Sequence, residues 1–167
     1  GDHVVDLETI STPYPYEADG SRRWDSDCEW PDPWVLFGAM GAVTTRLTFF
    51  TSIYVAALRS PFQVAKSVGT AAVLTGGRVR LGVGAGWCAE EFDLLGAPFV
   101  DRGDRADESI RAIRAAWGAE RSSYAGPYDE WTDLVVDPSG VQPHVPLWIG
   151  GRTGRSLRRA VELADGW

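Results

Sequence analysis

Two kinds of hydrophobic pattern alternate along the chain. Compact apolar runs, rich in β-branched and aromatic residues, occupy 47–55, 79–83 and 145–149 and predict buried strands. Between these runs, apolar residues recur every three or four positions, which predicts amphipathic helices with one face on a core. Strands that alternate with helices are typical of parallel βα units, so we predict an α/β fold. The helices are expected over 33–43, 61–75, 106–117 and 157–164.

Start and stop signals support these helices. Asp32 before Pro33 is a typical N-cap and first-turn pair. The run Ser60-Pro61-Phe62-Gln63 has the form of a capping box. Glycine often ends a helix, so Gly76-Gly77 and Gly118 are expected to end the second and third helices.

The number of strands falls short of a closed barrel. Segment 6–31 is polar and contains several prolines, and 119–146 is predicted to be a long excursion before the last strand. Only three or four strands are predicted in 167 residues, whereas an eight-stranded βα barrel takes about 250 residues. We therefore expect a single domain over 1–167 that is truncated at both ends and holds roughly half of a barrel.

Composition narrows the class of protein. The formal net charge of -7 argues against a nucleic-acid binder with a broad basic surface. Two cysteines, Cys28 and Cys88, provide neither a disulfide framework nor metal-ligand spacing. No apolar run approaches the length of a membrane span. These features predict a cytoplasmic protein that acts on a small molecule, and an assembly of several identical copies is left open.

Segment 78–92 carries the most specific chemistry. Its strand runs into glycines at 82, 84 and 86 and then into Trp87 and two carboxylates. Glycine lets backbone N–H groups approach a ligand, and α/β proteins bind cofactors where strands end. Residues 84–89 match the loose Gly-x-Gly-x-x-Ala form of a dinucleotide-binding loop. That fingerprint needs an acidic residue at the end of the next strand, but 101–107 begins a helix, so NAD(P) binding is the weaker alternative.

Other strand ends also carry unusual residues. The remnant of a first strand is predicted to end in Asp2-His3, and the predicted strand 47–55 runs through Ser52-Ile53. The last strand runs into Gly150-Gly151-Arg152 just before a helix. A glycine pair at a helix N-terminus suits a phosphate, because free N–H groups and the helix dipole point at it, and Arg152 adds guanidinium donors.

Together these motifs resemble the luciferase-like monooxygenase superfamily, in particular its members that use the deazaflavin coenzyme F420. The resemblance covers nearly the whole chain. Its residues are Gly1-Asp2-His3, Ser60-Pro61, Ala65-Lys66, 75–78, 81–87, 90–92, Leu95-Gly96, Arg102-Gly103, Gln142-Pro143, 146–151 and 164–167.

The resemblance implies a (β/α)8 TIM barrel of luciferase-like type, present here in part, with a flavin-type cofactor at the carboxyl ends of the strands. It places the cofactor ring over Ser52 and Ile53 and implies a non-proline cis peptide between them. It further places Asp2 and His3 near the polar edge of the ring, Gly86, Trp87 and Glu90 along the cofactor side chain, and Gly150, Gly151 and Arg152 at its phosphate.

The implied activity is hydride transfer between coenzyme F420 and a small organic substrate. His3 is the first candidate for proton transfer, because an imidazole exchanges protons near neutral pH, and Glu90 is the second. An FMN-dependent monooxygenase that uses molecular oxygen is the alternative. A truncated half-barrel without catalytic activity is a third interpretation. Independently of it, Glu90 and Glu91 also match a charged first helical turn, which the helix dipole favours.

Overall fold

A computed structural model describes residues 1–118, 120–139 and 144–167. A short 3-10 turn, Ala56–Leu58, follows the second strand. In chain order, the helices and strands are α1 (Pro33–Val43), β1 (Phe49–Phe50), β2 (Tyr54–Val55), α2 (Pro61–Thr75), β3 (Val79–Gly84), α3 (Ala89–Leu94), α4 (Arg102–Trp117), β4 (Ser122–Ala125), β5 (Glu130–Leu134), β6 (Leu147–Ile149) and α5 (Gly154–Leu163).

The central sheet is parallel, and its strands lie side by side in chain order. β1 and β2 both pair with one edge of β3, and β6 pairs with the other edge. Beyond α5, Gly166 forms an isolated parallel bridge with Trp148 of β6. Gly166 therefore lies where the next strand of the sheet would begin. Helices connect these parallel segments, as expected for successive βα units of a barrel. The predicted α/β fold, a partial barrel, is therefore confirmed.

The predicted strand 47–55 is interrupted at its centre. β1 and β2 are separated by residues 51–53, and the peptide bond between Ser52 and Ile53 is cis, as the resemblance implied. The hydroxyl of Thr51 accepts from the Gly82 N–H at 2.9 Å and donates to the Gly82 carbonyl at 2.9 Å. The backbones are so close here that a Cβ on Gly82 would lie 2.0 Å from the Thr51 carbonyl oxygen. The prediction of one continuous strand over 47–55 was thus wrong. At this point the Thr51 hydroxyl takes the place of the backbone groups that would otherwise pair with Gly82.

The core lies between the sheet and α2 and α4. The strand side chains of Leu81, Val83 and Leu147 are fully buried. Helix α2 contributes Val64 and Val68, and α4 contributes Ile110 and Ile113. These apolar positions are the ones that the hydrophobic pattern placed inward.

Helix ends follow the sequence signals with one exception. The Asp32 carboxylate accepts from the N–H groups of Trp34 and Val35 at 2.9 and 3.0 Å, as expected of an N-cap. Gly76 ends α2 in the left-handed conformation. Ser60 makes no capping bond through its side chain, so the predicted capping box is wrong, and Pro61 starts the helix without it.

Two elements lie outside the helices and strands that we predicted. Helix α3 follows the glycine segment, and an antiparallel hairpin of β4 and β5 lies within the excursion 119–146. In the hairpin, the rings of Tyr124 and Trp131 pair across the strands with centroids 4.8 Å apart. Gln142 and Pro143, which contribute to the resemblance, lie outside the described residues.

The outer surface of α5 departs from its predicted packing. Leu157 and Val161 are apolar positions of the predicted helix 157–164 and were expected to face a core, yet they are 45% and 87% exposed. Ala160, an apolar position of the same helix, packs on the sheet. Among the described residues, no helix combines the length and the apolar content that crossing a membrane requires.

Candidate active site

The carboxyl ends of β3 and β6 meet at the side chain of Ile53, which lies between β1 and β2. A Cβ on Gly84, at the end of β3, would lie 1.8 Å from Ile53 Cδ1. A Cβ on Gly150, just after β6, would lie 2.7 Å from Ile53 Cγ2. The glycines at 84 and 150 leave room for the Ile53 side chain in this position. The structure thus brings Ser52-Ile53 and Gly150 together at the carboxyl ends of the strands.

Asp2 ties the start of the chain to the end of β2. Its two carboxylate oxygens each accept from the Arg59 guanidinium at 2.8 Å, and Oδ2 also accepts from the Val55 N–H at 2.9 Å. The Asp2 side chain is 2% exposed, and the Arg59 side chain is 16% exposed. A bidentate pair of this kind fixes geometry as well as charge. Asp2 therefore holds His3 in place beside the strand exits.

His3 forms a pair with a carboxylate that sequence reasoning did not assign to the site. His3 Nδ1 lies 3.0 Å from Glu91 Oε2, and the Val4 N–H donates to Glu91 Oε1 at 2.7 Å. Both side chains are buried, at 8% and 3% exposure. A carboxylate on Nδ1 holds a proton on that nitrogen and leaves Nε2 as the atom that exchanges protons with a ligand.

Indole rings surround His3. The ring centroids of Trp30, Trp24 and Trp87 lie 5.0, 5.5 and 6.0 Å from that of His3. Trp87 belongs to the glycine segment, whereas the other two come from the segment that precedes α1. The Trp30 Nε1–H is buried and has no acceptor among the described residues. An unpaired indole donor beside the imidazole is a group that a ligand carbonyl or anion would satisfy.

Glu90 follows a different direction from Glu91 on helix α3 and has different partners. Its carboxylate accepts from the N–H groups and hydroxyls of Ser11 and Thr12, at distances from 2.6 to 3.0 Å. These hydrogen bonds, those to the side chains first, hold the pKa of the Glu90 carboxyl well below its usual range. A carboxylate that stays ionised is a poor proton donor, so this geometry favours an anchoring role.

Gly86 and Trp87 form the turn from β3 into α3. Gly86 has a φ of 82°, and its carbonyl accepts from Arg102 Nε at 3.1 Å. A Cβ on Gly86 would contact Phe92 at 2.6 Å and Val55 at 2.8 Å, so this turn requires glycine. Trp87 also packs edge-on against Tyr14, with centroids 5.2 Å apart.

The two glycines after β6 differ in their backbone hydrogen bonds. The Gly150 N–H donates to the Val83 carbonyl at 2.8 Å and so belongs to the sheet. The N–H groups of Gly151 and Arg152 have no acceptor within the described residues. They lie just before α5, whose N-cap Thr153 accepts from the Ser156 N–H at 3.2 Å. The Arg152 guanidinium lies 4.7 Å from the centre of the Tyr16 ring.

Sequence reasoning missed the residues that position His3. Glu91, Arg59, Trp24 and Trp30 complete the surroundings of Asp2 and His3, although they lie far from them in sequence or in a polar loop. The adjacent carboxylates at 90 and 91 were a usable signal, since neighbours on a helix point in different directions and take different partners.

Comparison with known proteins identifies the class. The family profile described as luciferase-like monooxygenase matches residues 8–167. A protein of Mycobacterium tuberculosis without an assigned function is 38% identical over 154 residues, which are 92% of this chain and 53% of that protein. The chain belongs to the luciferase-like monooxygenase family.

Named relatives within this family use two kinds of cofactor. An F420-dependent hydroxymycolic acid dehydrogenase of Mycobacterium tuberculosis is 29% identical over 99% of this chain and 47% of its own length. An FMNH(2)-dependent dimethylsulfone monooxygenase of Pseudomonas putida is 30% identical over 64% of this chain and 30% of its own length. The family is thus one of oxidoreductases and monooxygenases.

A solved structure supports the fold. An F420-dependent secondary alcohol dehydrogenase superposes with a TM-score of 0.74 at 24% identity, over 85% of this chain and 44% of that one. This likeness shows a luciferase-like fold in place of the dinucleotide-binding fold that the Gly-x-Gly-x-x-Ala match suggested. The chain spans about half the length of the curated relatives it matches.

Proposed function

We propose that this chain contributes to an oxidoreductase that transfers hydride between coenzyme F420 and a small organic substrate. The observation that carries the proposal is the buried His3–Glu91 pair, enclosed by indoles beside the exits of β2 and β3. Such a pair is suited to move one proton at a fixed position in a site with little water.

The residues around the strand exits fit an anionic, acceptor-rich cofactor. At one end, the N–H groups of Gly151 and Arg152, the Arg152 guanidinium and the N-terminus of α5 suit a phosphate. At the other end, the Trp30 Nε1–H lacks an acceptor beside His3. We propose that Ser52 and Ile53 support the ring and that the remaining contacts come from Asp2, His3, Gly86, Trp87, Glu90 and Gly150.

When bound, a deazaflavin supplies two electrons as hydride, and the protein positions the substrate and manages charge. Glu91 accepts a hydrogen bond from His3 Nδ1, so His3 Nε2 is the atom that gives or takes the substrate proton. Glu91 is a positioning residue here, since it acts through the imidazole. Glu90 is the second candidate for proton transfer, with the weaker claim because its four hydrogen bonds keep it ionised.

An FMN-dependent monooxygenase that uses molecular oxygen is the second candidate. It is favoured by the FMNH(2)-dependent relative, which matches 64% of this chain. We place F420 first because the F420-dependent relative matches 99% of the chain, including the segments around both Asp2-His3 and Gly150-Gly151. The phosphate site proposed at Gly151 would suit either cofactor, because both carry a phosphate. Binding of the cofactor ring and the reaction catalysed are therefore what distinguish F420 from FMN.

The test is a titration of the purified chain with coenzyme F420, FMN and NADP, followed by cofactor fluorescence and by thermal shift. We expect saturable binding of F420 in the micromolar range, weakened at least tenfold in Arg152→Ala. Preferential binding of FMN would support the second candidate. Absence of binding of either at high micromolar concentration would overturn the enzymatic proposal for this chain and favour a non-catalytic half-barrel.

A measurement of the His3 imidazole itself is needed to test whether Glu91 positions it, because a loss of stability alone would also follow from a purely structural role. Nitrogen-15 NMR of the imidazole should show His3 with its proton on Nδ1, and Glu91→Gln should change this tautomer preference. His144→Ala is the matched control, because the second histidine of the chain is half-exposed and lies beside Asp165 instead. An unchanged His3 spectrum in Glu91→Gln would contradict the positioning role.

A further inference from the structure

A second pocket lies between α4, the 3-10 turn and the tip of the β4–β5 hairpin. Its volume is about 170 Å³, and its polar lining comes from Arg59, Arg105, Glu108, Ser109, Tyr128 and Asp129. None of the residues that line it was predicted to bind the cofactor. The pocket therefore requires its own explanation.

Glu108 is the unusual residue of this pocket. The residue is 2% exposed, and its Oε1 atom has no hydrogen-bond partner among the described residues. The hairpin packs tightly against it, since a Cβ on Gly126 would lie 1.7 Å from Glu108 Oε1. A buried carboxylate oxygen without a donor is costly, and native proteins rarely leave one unpaired.

The charges around the pocket leave an excess of negative charge. The Arg59 guanidinium is already paired with Asp2, and Arg105 is paired with Asp101 and lies 4.3 Å above the Tyr128 ring. Neither Glu108 nor Asp129 has an ion pair within 4.0 Å in the described part of the chain. Two carboxylates thus face the same small space without a cation of their own.

Glu108 also affects the pKa values of two neighbouring groups. Burial raises the pKa of Asp129, and the nearby negative charge of Glu108 raises it further. Burial and the neighbouring Glu108 carboxylate raise the pKa of Tyr124 to about 12. Both groups therefore lie within the electrostatic reach of Glu108.

We propose that this pocket binds a compact organic cation with N–H donors, of the alkylammonium class, between Glu108 and Asp129. An ammonium group carries three donors and a positive charge, so it satisfies Glu108 Oε1 and offsets both carboxylates. A metal ion fits less well, because the described residues contain no cluster of three or more potential metal-binding side chains. This proposal goes beyond the cofactor site and does not depend on it.

The probe is methylammonium chloride, with tetramethylammonium chloride and sodium chloride at equal ionic strength as controls. Thermal unfolding of the intact chain should show a saturable rise of the midpoint with methylammonium, of roughly 3–6 °C at about ten times the dissociation constant. Tetramethylammonium, which lacks N–H donors, should give only the response to salt. An equal rise with all three salts would overturn the proposal.

Variants of the pocket residues test whether the effect of methylammonium arises at Glu108 and Asp129. Glu108→Gln should abolish the response, and Asp129→Asn should weaken the affinity about tenfold. Glu130→Gln is the matched control, because Glu130 is an exposed carboxylate of the same hairpin that does not line the pocket. If Glu108→Gln does not fold, Asp129→Asn decides alone. An unchanged affinity in Asp129→Asn, or a larger rise with magnesium chloride, would overturn the assignment.

Discussion

The central sheet and the N-terminal segment, residues 1–31, are held in opposite ways. The sheet with α2 and α4 buries side chains such as Leu81 and Ile110 completely. The N-terminal segment, all of which is described, contains neither helix nor strand. Three carboxylates fasten it: Asp2 to Arg59, Glu91 to His3 and Val4, and Glu90 to Ser11 and Thr12.

This difference explains where the proposed chemistry lies. Apolar burial stabilises the sheet without regard to direction, whereas hydrogen bonds to carboxylates place particular atoms at particular distances. His3 and the indoles around it lie where the polar segment meets the strand exits. The sheet thus supplies a rigid base, and the segment supplies the groups that meet a substrate.

The largest expected effect concerns the sheet. In Gly82→Ala the new methyl group would lie 2.0 Å from the Thr51 carbonyl oxygen, a backbone atom that cannot move aside. We expect a loss of about 3 kcal/mol in the free energy of unfolding, measured by urea denaturation. Gly38→Ala is the matched control, because its Cβ would meet only Leu74 Cδ1 at 3.6 Å within α1. That variant should gain roughly 0.5–1 kcal/mol, and equal losses in both would contradict the close approach.

A smaller effect is expected when the attachment of the N-terminal segment is weakened while the sheet stays intact. Asp2→Asn removes the charge that pairs with Arg59, so we expect a loss of about 2 kcal/mol in the attachment of the N-terminal segment. Trypsin should then cleave faster after Arg22 and Arg23, while the unfolding midpoint of the sheet changes little. Asp25→Asn, an exposed residue of the same segment, is the control with the same change of charge. Unchanged cleavage in Asp2→Asn would show that other contacts hold the segment.

The smallest effect is a dependence on pH. Hydrogen bonds to Ser11 and Thr12 lower the pKa of Glu90. The ionised carboxylate therefore stabilises the folded state fully at pH values above the ordinary glutamate pKa near 4. This stabilisation is lost as the pH falls towards the lowered value, because the folded state must then take up a proton. We expect Glu90→Gln to cost less than about 1 kcal/mol at pH 7, since the group is partly exposed.

The measurement for Glu90 is the unfolding free energy of both proteins between pH 7 and pH 2. The difference between wild type and Glu90→Gln should shrink below about pH 4. A constant difference over this range would show that the charge of Glu90 does not stabilise the segment.

Much of the fold could be predicted from local patterns. The N-cap at Asp32, the end of α2 at Gly76 and the buried positions of β3 depend on residues a few positions apart. The interruption at Thr51 could not be predicted in this way, because it arises from contact with Gly82, 31 positions away. The hairpin β4–β5 was missed for a different reason: Tyr124 and Trp131 pair across only a few positions, but they lie within a polar, proline-rich stretch without a strand pattern.

The sequence by itself determined the α/β class, the luciferase-like resemblance and most helix positions, because periodicity and turn residues act over short distances. Only the tertiary structure decided what the functional residues touch. It paired His3 with Glu91 across 88 positions and Asp2 with Arg59 across 57. It also turned the adjacent Glu90 towards Ser11 and Thr12. The physical reason is that a side chain's role depends on partners that chain folding brings near, and such partners leave no local pattern.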